Sequence, residues 1–224
     1  MNTLLALTVL LMGTGPEIIM AHSGHEKKNI KTSRGSAAYI SPVSAGGHGT
    51  GTYVKIKDKF FIVTAKHVTD KHTDFFVDIG KWSGIAVKVF ESKTKDISVL
   101  QVAEVKSAIA IEIKKACVLK IGETVYFSGF PSQYSLMTTK AFISGENAYT
   151  KYMQGFAWFG SSGSGIINEK NKLCGVLTAI AIERKGFFTH ALETLNYVHM
   201  IEGEDIRNII KAVDDLRKEP VYIK

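Results

Sequence analysis

The stretch Phe156-Ala-Trp-Phe-Gly-Ser-Ser-Gly-Ser-Gly-Ile-Ile-Asn168 constrains this chain more than any other. An apolar run leads into a tight Gly/Ser turn and a second apolar run leads out. The glycines admit backbone angles and close approaches that a Cβ would block. A serine at the centre, Ser162, has its hydroxyl presented with backbone N–H groups gathered around it. Acyl transfer needs that arrangement, a nucleophile beside donors for an oxyanion. By composition alone the run is a flexible linker. The flanks oppose that reading, because linkers rarely sit between FAWF and the strand-like GIINEKNKLCGVLTAI. The choice rests on a histidine and an acid upstream.

The upstream chain has a β pattern. Tyr53-Val-Lys-Ile-Lys alternates, Asp58-Lys59 turns, and Phe60-Phe-Ile-Val-Thr is a buried strand ending just before His67. Further strands are expected at Asp74–Ile79, Gly84–Phe90 and Ile97–Val102. A second series starts near Ile113, with strands ending at Gly129, over 136–144 and 148–154, around 165–168 and 173–181, and from Gly186. Short strands at regular spacing indicate barrels or a sandwich. At the C-terminus the period changes: Ile206, Ile209, Ile210, Val213 and Leu216 form one helical stripe.

The totals fit one large domain or two small halves: 224 residues, with 45% hydrophobic and 22% charged content. Net charge is +7, but the lysines are scattered, so a solvated surface is expected and no nucleic-acid partner. Cys117 and Cys174 have no spacing that suggests a metal; they are two buried thiols or one disulfide closing a long loop, a choice sequence does not decide, and thiols are the expectation. The histidines do not cluster with acids at ligand spacing, so no metal and no cofactor are expected. Leu4–Met12 is too short to span a bilayer and has the character of a secretory signal core, with Ala21 near a cleavage point. Its alternative is an ordinary N-terminal arm. Residues 22–45 read as a loop or leader arm.

His67 follows a buried strand and Asp96 precedes another. With Ser162 they give the order His, Asp, Ser, each at a strand edge. A serine hydroxyl is a poor nucleophile until a base takes its proton. The imidazole in turn needs an anion to fix its tautomer and stabilise its charge.

Several stretches then resemble the chymotrypsin-fold serine proteases, in particular Deg/HtrA-type and glutamyl-endopeptidase-type members. They are Phe61-Ile-Val-Thr-Ala-Lys-His67-Val, Asp96-Ile-Ser-Val-Leu-Gln-Val, Ile121-Gly-Glu-Thr-Val-Tyr-Phe-Ser-Gly129-Phe-Pro and Gly160-Ser-Ser162-Gly-Ser-Gly, over about residues 46–215. The resemblance implies an all-β fold of two six-stranded antiparallel barrels with a C-terminal helix. The divisions are a leader over 1–45, an N-terminal barrel over 46–112, a C-terminal barrel over 113–201, and a helix and tail over 202–224. It implies Ser162 as nucleophile, His67 as general base, Asp96 as orienting carboxylate, and the N–H groups of Gly160 and Ser162 as oxyanion hole. Substrate would lie along Phe156, Thr178, Ala179, Ile180 and Gly186, with Thr178 standing where a hydroxyl supports the aspartate.

Four departures refine this. Ser161 replaces the acid that captures a freed N-terminal ammonium, so no trypsin-style activation switch is expected. Phe156, six residues before Ser162, offers a basic P1 side chain no partner, and Leu177 replaces a histidine of the glutamate-specific enzymes. A small or medium aliphatic P1 is expected. Lys66 stands where a small residue is usual, which keeps open a second reading, a protease-fold binding protein with an unproductive triad. The partner is a polypeptide substrate, and oligomeric state is not legible. The compartment is read as secreted or extracytoplasmic, with a virus- or phage-encoded processing protease as the alternative.

Overall fold

The computed structural model describes residues 24–132, 134–147, 150–185 and 188–215. The signal-like residues 1–21 and Gly186 lie outside them.

Three N-terminal strands decide the architecture: β2 (Gly49–Ile56), β3 (Lys59–Thr64) and β6 (Ser98–Val102). Side chains alternate across a strand, yet here both faces are buried. Tyr53, Ile62, Leu100 and Val102 point inward with Ile40, Phe75, Val77 and Ile79. Val54, Ile56, Phe61, Val63 and Val99 form the opposite face. The inward set closes a ring of β1 (Ala37–Pro42), β4 (Asp74–Ile79), β5 (Trp82–Glu91), β6, β3 and β2, sealed by antiparallel pairing of β1 with β2. A two-residue strand, β7 (Ile111–Glu112), adds to β2 in parallel.

The second barrel comprises β8 (Thr124–Gly129), β9 (Met137–Glu146), β10 (Thr150–Gln154), β11 (Gly165–Asn168), β12 (Leu173–Lys185) and β13 (Phe188–Met200), closed in the order β10-β13-β12-β11-β8-β9. Its interior holds Leu119, Val125, Phe127, Ile143, Met153 and Ile166. Ile167, Leu173 and Val176 leave it to meet the outer face of β2, β3 and β6. The C-terminal helix α3 (Gly203–Asp215) lays Ile206, Ile209 and Val213 on the same face. The expected pair of six-stranded barrels is therefore present, joined by an apolar seam.

The chain departs from expectation in three places. The stretch read as a loop or leader arm holds a helix, α1 (Gly24–Ser36), and then β1. The helix has no apolar stripe to betray it, because it buries Asn29, Thr32, Ser33 and Ser36. It docks on the second barrel through polar contacts: Ser33 Oγ with Ser128 Oγ at 2.8 Å, Arg34 Nη1 to the Leu136 carbonyl at 3.2 Å, and Lys140 with Glu26 at 2.9 Å. The N-terminal barrel thus begins at Ala37 rather than Gly46. Next, the last two strands run further than the turn signals suggest, pairing from Gly175↔Met200 out to Lys185↔Phe188. Last, Cys117 and Cys174 form a disulfide, with Cα atoms 4.7 Å apart across 57 residues of sequence. Only barrel closure brings them together, and the expectation of thiols gives way to a bonded pair.

A chain trimmed to Ala45 loses β1 and leaves the first barrel unclosed. It is expected to show no cooperative thermal transition by circular dichroism. Ile40→Ala, at a fully buried position, keeps the strand and should cost about 2–5 kcal/mol in urea denaturation. A trimmed chain that melts as sharply as the full chain would refute this reading of β1.

Candidate active site

Strand β3 ends at Thr64, and buried Ala65 leads into a single helical turn, α2 (Lys66–Thr69). The turn is closed by Val68 N–H to the Ala65 carbonyl at 3.2 Å and the Thr69 hydroxyl to the Lys66 carbonyl at 3.0 Å. It holds His67 at the barrel rim with its side chain 49% exposed. The backbone N–H of His67 donates to Asp96 Oδ1 at 2.9 Å, and the ring Nδ1 lies 2.7 Å from Asp96 Oδ2. An ionised carboxylate only accepts, so Nδ1 carries a proton, and in the neutral ring the lone pair is on Nε2.

Asp96 sits in the connection from β5 to β6. Ser92 Oγ accepts from the N–H groups of Thr94 and Lys95 there, and Ser92 N–H donates to the Ile97 carbonyl at 2.9 Å. Burial pushes the Asp96 carboxyl up, but the ring and backbone donors of His67 outweigh it and hold the group below its ordinary range. Lys66, whose charge beside His67 suggested an unproductive site, is committed elsewhere. Its ammonium lies 3.0 Å from Glu91.

The Ser162 turn joins β10 to β11. Gly160 and Gly163 have φ of 94° and 91°, which Cβ-bearing residues resist. A Cβ on Gly163 would also strike the Thr50 carbonyl and the Thr64 hydroxyl of the other barrel. That close approach lets Thr50 N–H donate to the Ser162 carbonyl at 2.8 Å and Thr50 Oγ1 to the Gly160 carbonyl at 2.7 Å. The Phe159 carbonyl accepts from Ser132 N–H at 2.6 Å. A trans peptide points its N–H opposite to its C=O, so the Gly160 N–H faces away from Ser132. Among the described residues nothing accepts a hydrogen bond from the N–H of Gly160 or Ser162. Ser161 is buried, and its hydroxyl and carbonyl face Trp158 N–H and Ser164.

His67 and Ser162 line one cavity of about 360 Å³, with His48, Val68, Phe159 and Gly160 on its walls. No hydrogen bond joins the two among the described residues. Such contacts often tighten only when substrate binds. The expected substrate groove is less gathered. Phe156 is 43% exposed, Ala179 is exposed, and Ile180 packs in part on the second core. None of these three lines the cavity, and neither does Thr178. The Thr178 hydroxyl donates to the Tyr197 carbonyl at 3.2 Å instead of supporting Asp96. Leu177 is tied to the nucleophile turn, receiving Gly163 N–H at 2.7 Å and donating to the Ser164 carbonyl at 2.9 Å, so the 178–180 segment runs directly past that turn.

One residue beside the site has no motif. The backbone N–H of Asp96 donates to Nδ1 of His199, 2.9 Å away and 103 residues later. In the sequence His199 is one scattered histidine among seven, and strand β13 alone brings it here. Among the described residues no group of three or more His, Cys, Asp or Glu is placed to hold a metal ion, and no helix is long and apolar enough to cross a membrane.

Comparisons with known proteins agree with this fold. A probable periplasmic serine endoprotease, DegP-like, of Buchnera aphidicola subsp. Baizongia pistaciae is 29% identical over 145 residues, covering 59% of this chain and 31% of that protein. The chain thus spans about a third of that curated relative. Among solved structures, the serine endoprotease from Yersinia pestis superposes with a TM-score of 0.69 at 18% identity, covering 87% of this chain and 68% of that one. The HtrA-type protease AlgW with tripeptide gives 0.67 at 17%, covering 85% and 64%. At such identities the likeness shows the fold. The trypsin-like peptidase domain matches residues 49–176, more than half of the chain, and includes the β3 turn, the Asp96 connection and the Ser162 turn. The chain belongs to the trypsin-like peptidase domain family.

Proposed function

We propose that the chain is a serine endopeptidase in which Ser162, His67 and Asp96 act as a catalytic triad. The observation that carries it is the 2.7 Å contact from His67 Nδ1 to Asp96 Oδ2, on a ring that shares a cavity with Ser162. Ser162 Oγ attacks the scissile carbonyl carbon while its proton passes to His67 Nε2. Asp96 stays ionised and stabilises the imidazolium that results. The oxygen that gains the electron pair is held by the N–H groups of Gly160 and Ser162, which are left unpaired among the described residues. One such donor is worth about 10²–10³ in rate. When the tetrahedral adduct collapses, the C–N bond breaks and His67 returns the proton to the leaving amine. Water then repeats the sequence on the acyl-enzyme and frees Ser162. No cofactor enters this chemistry.

The substrate is a polypeptide in extended form, laid against Thr178-Ala179-Ile180 as an added strand. The exposed Phe156 and the absence of a carboxylate at that position support an aliphatic P1. An extracytoplasmic location is supported by the disulfide, a bond of oxidising compartments, and by the periplasmic designation of the Buchnera relative.

A fluorophosphonate probe is expected to label the folded protein, and Ser162→Ala is expected to abolish labelling. A folded protein that stays unlabelled would favour the binding-protein reading. Asp96→Asn should lower kcat by about 10⁴ with the fold intact, because the imidazole loses its tautomer and its counter-charge. Cleavage of a peptide library should favour Ala, Val or Leu at P1, and dominance of Arg, Lys or Glu would refute the pocket assignment.

A further inference from the structure

We propose that His199 is a positioning residue that fixes Asp96, and through it the ring of His67, relative to the barrel that carries Ser162. The inference rests on the triad reading above and adds to it a residue that no motif marks.

The two ends of the Lys95–Asp96 unit are both fastened to the C-terminal part of the chain. On one side Asp96 N–H donates to His199 Nδ1 at 2.9 Å. On the other the Lys95 side chain, only 13% exposed, brings its ammonium to Asp205 Oδ2 at 2.8 Å, Glu202 Oε2 at 2.9 Å and the Met200 carbonyl at 3.2 Å. His199 and Met200 belong to β13, Glu202 lies just before α3, and Asp205 is in the first turn of α3. The acid–base pair comes from the first barrel and the nucleophile from the second. This clamp is therefore a polar link that sets the distance between them, at the one backbone unit where a shift moves the carboxylate directly.

The chemistry demands a neutral ring. Nδ1 accepts from a backbone N–H, so the proton sits on Nε2. A second proton would place N–H against N–H and break the link. The surroundings oppose that proton on balance. Burial pushes the His199 imidazole below its ordinary range, Asp96 favours the cation, Lys95 opposes it and Asp205 favours it. Glu202 pairs with the Lys95 ammonium at 2.9 Å. The strands paired with β13 here present Thr150 and Val176 opposite His199, neither of them titratable. Because the folded value is depressed, the stabilisation from the neutral ring is full above the unfolded imidazole range and is lost as pH falls toward the folded value.

Two substitutions separate positioning from mere packing. His199→Asn keeps an acceptor, Oδ1, at the same distance along the side chain as Nδ1, and removes the titration. His199→Leu keeps the bulk and removes the acceptor. His199→Leu is expected to lower kcat about tenfold to a hundredfold, the scale of a displacement near 1 Å, with KM within about twofold. His199→Asn is expected to recover most of that loss. In wild type the acid limb of the kcat/KM profile should steepen as a second proton binds, and in His199→Asn it should keep the slope of one proton. A further readout does not need catalysis. The downfield proton resonance of the His67–Asp96 bond should shift or broaden in His199→Leu and return in His199→Asn. Unchanged kcat and an unchanged resonance in His199→Leu would overturn the proposal while leaving the triad standing. Equal losses in both variants would overturn it as well, since packing alone would explain them. A resonance that responds as expected in a protein whose Ser162 takes no probe would support the clamp and sink the triad reading instead.

Discussion

Double burial of β2, β3 and β6 is the constraint from which the rest follows. A barrel needs only its inner face to be apolar. These strands are apolar outside as well, and that outer face is satisfied only when the second barrel and α3 cover it. Full burial of one Val, Ile or Phe side chain contributes about 1.5–3 kcal/mol. The ion pair that also ties α3 to the first barrel, Lys57 with Asp214, has side chains 43% and 38% exposed, and such pairs contribute about 0–1 kcal/mol. The stripe of Ile206, Ile209 and Val213 holds the helix, and the ion pair trims its orientation. A cleft between barrels can then be kept within the ångström that proton transfer requires.

Along the cleft, adjacent residues solve opposite electrostatic problems by the same means. Asp96 and Lys95 both lose hydration, which disfavours their charged forms. Asp96 stays ionised because two N–H groups of His67 point at its oxygens. Lys95 stays protonated, its pKa raised although burial opposes that, because Asp205 and Glu202 bond its ammonium. Alternating charge at one loop therefore ties it forward to the base and backward to the helix. The Lys66–Glu91–Lys88 cluster does comparable work at the rim, where two ammonium groups hold the Glu91 carboxyl below its ordinary range. Lys66, a departure from the residue type usual at that position, directs its ammonium to Glu91.

Much of this was legible from local pattern. The strands of both barrels carry period-two or fully apolar runs, the α3 stripe carries a period near 3.6, and the Ser162 turn announces itself by glycine between apolar flanks. What escaped has a common physical cause: it depends on residues distant in sequence or on burial of polar groups. Helix α1 buries Asn, Thr and Ser, so no hydrophobic period marks it. Strand β1 is a six-residue segment next to that helix and is recognised as a strand only by the barrel it completes. The disulfide and His199 are set by partners 57 and 103 residues away. Thr178 shows the limit of carrying a role over by position, since its hydroxyl finds a nearer carbonyl at Tyr197.

The two terminal helices are exchanged between the barrels, and they differ in kind. Helix α3 leaves the second barrel and packs on the first with an apolar stripe. Helix α1 precedes the first barrel and packs on the second with hydroxyls, an arginine and an ion pair whose lysine is exposed. A neutral hydrogen bond adds about 0.5–1.5 kcal/mol net, and the buried Oδ1 of Asn29 has no partner among the described residues and detracts from the sum. By that reckoning α1 is the weaker strap, and local opening belongs to the low-stability end of the molecule there. The Lys95–Asp96 unit is tied to β13 through Asp96 and to α3 through Lys95, not to α1. Of the two helices, the weaker strap is thus the one to which the carboxylate's own connection is not fastened.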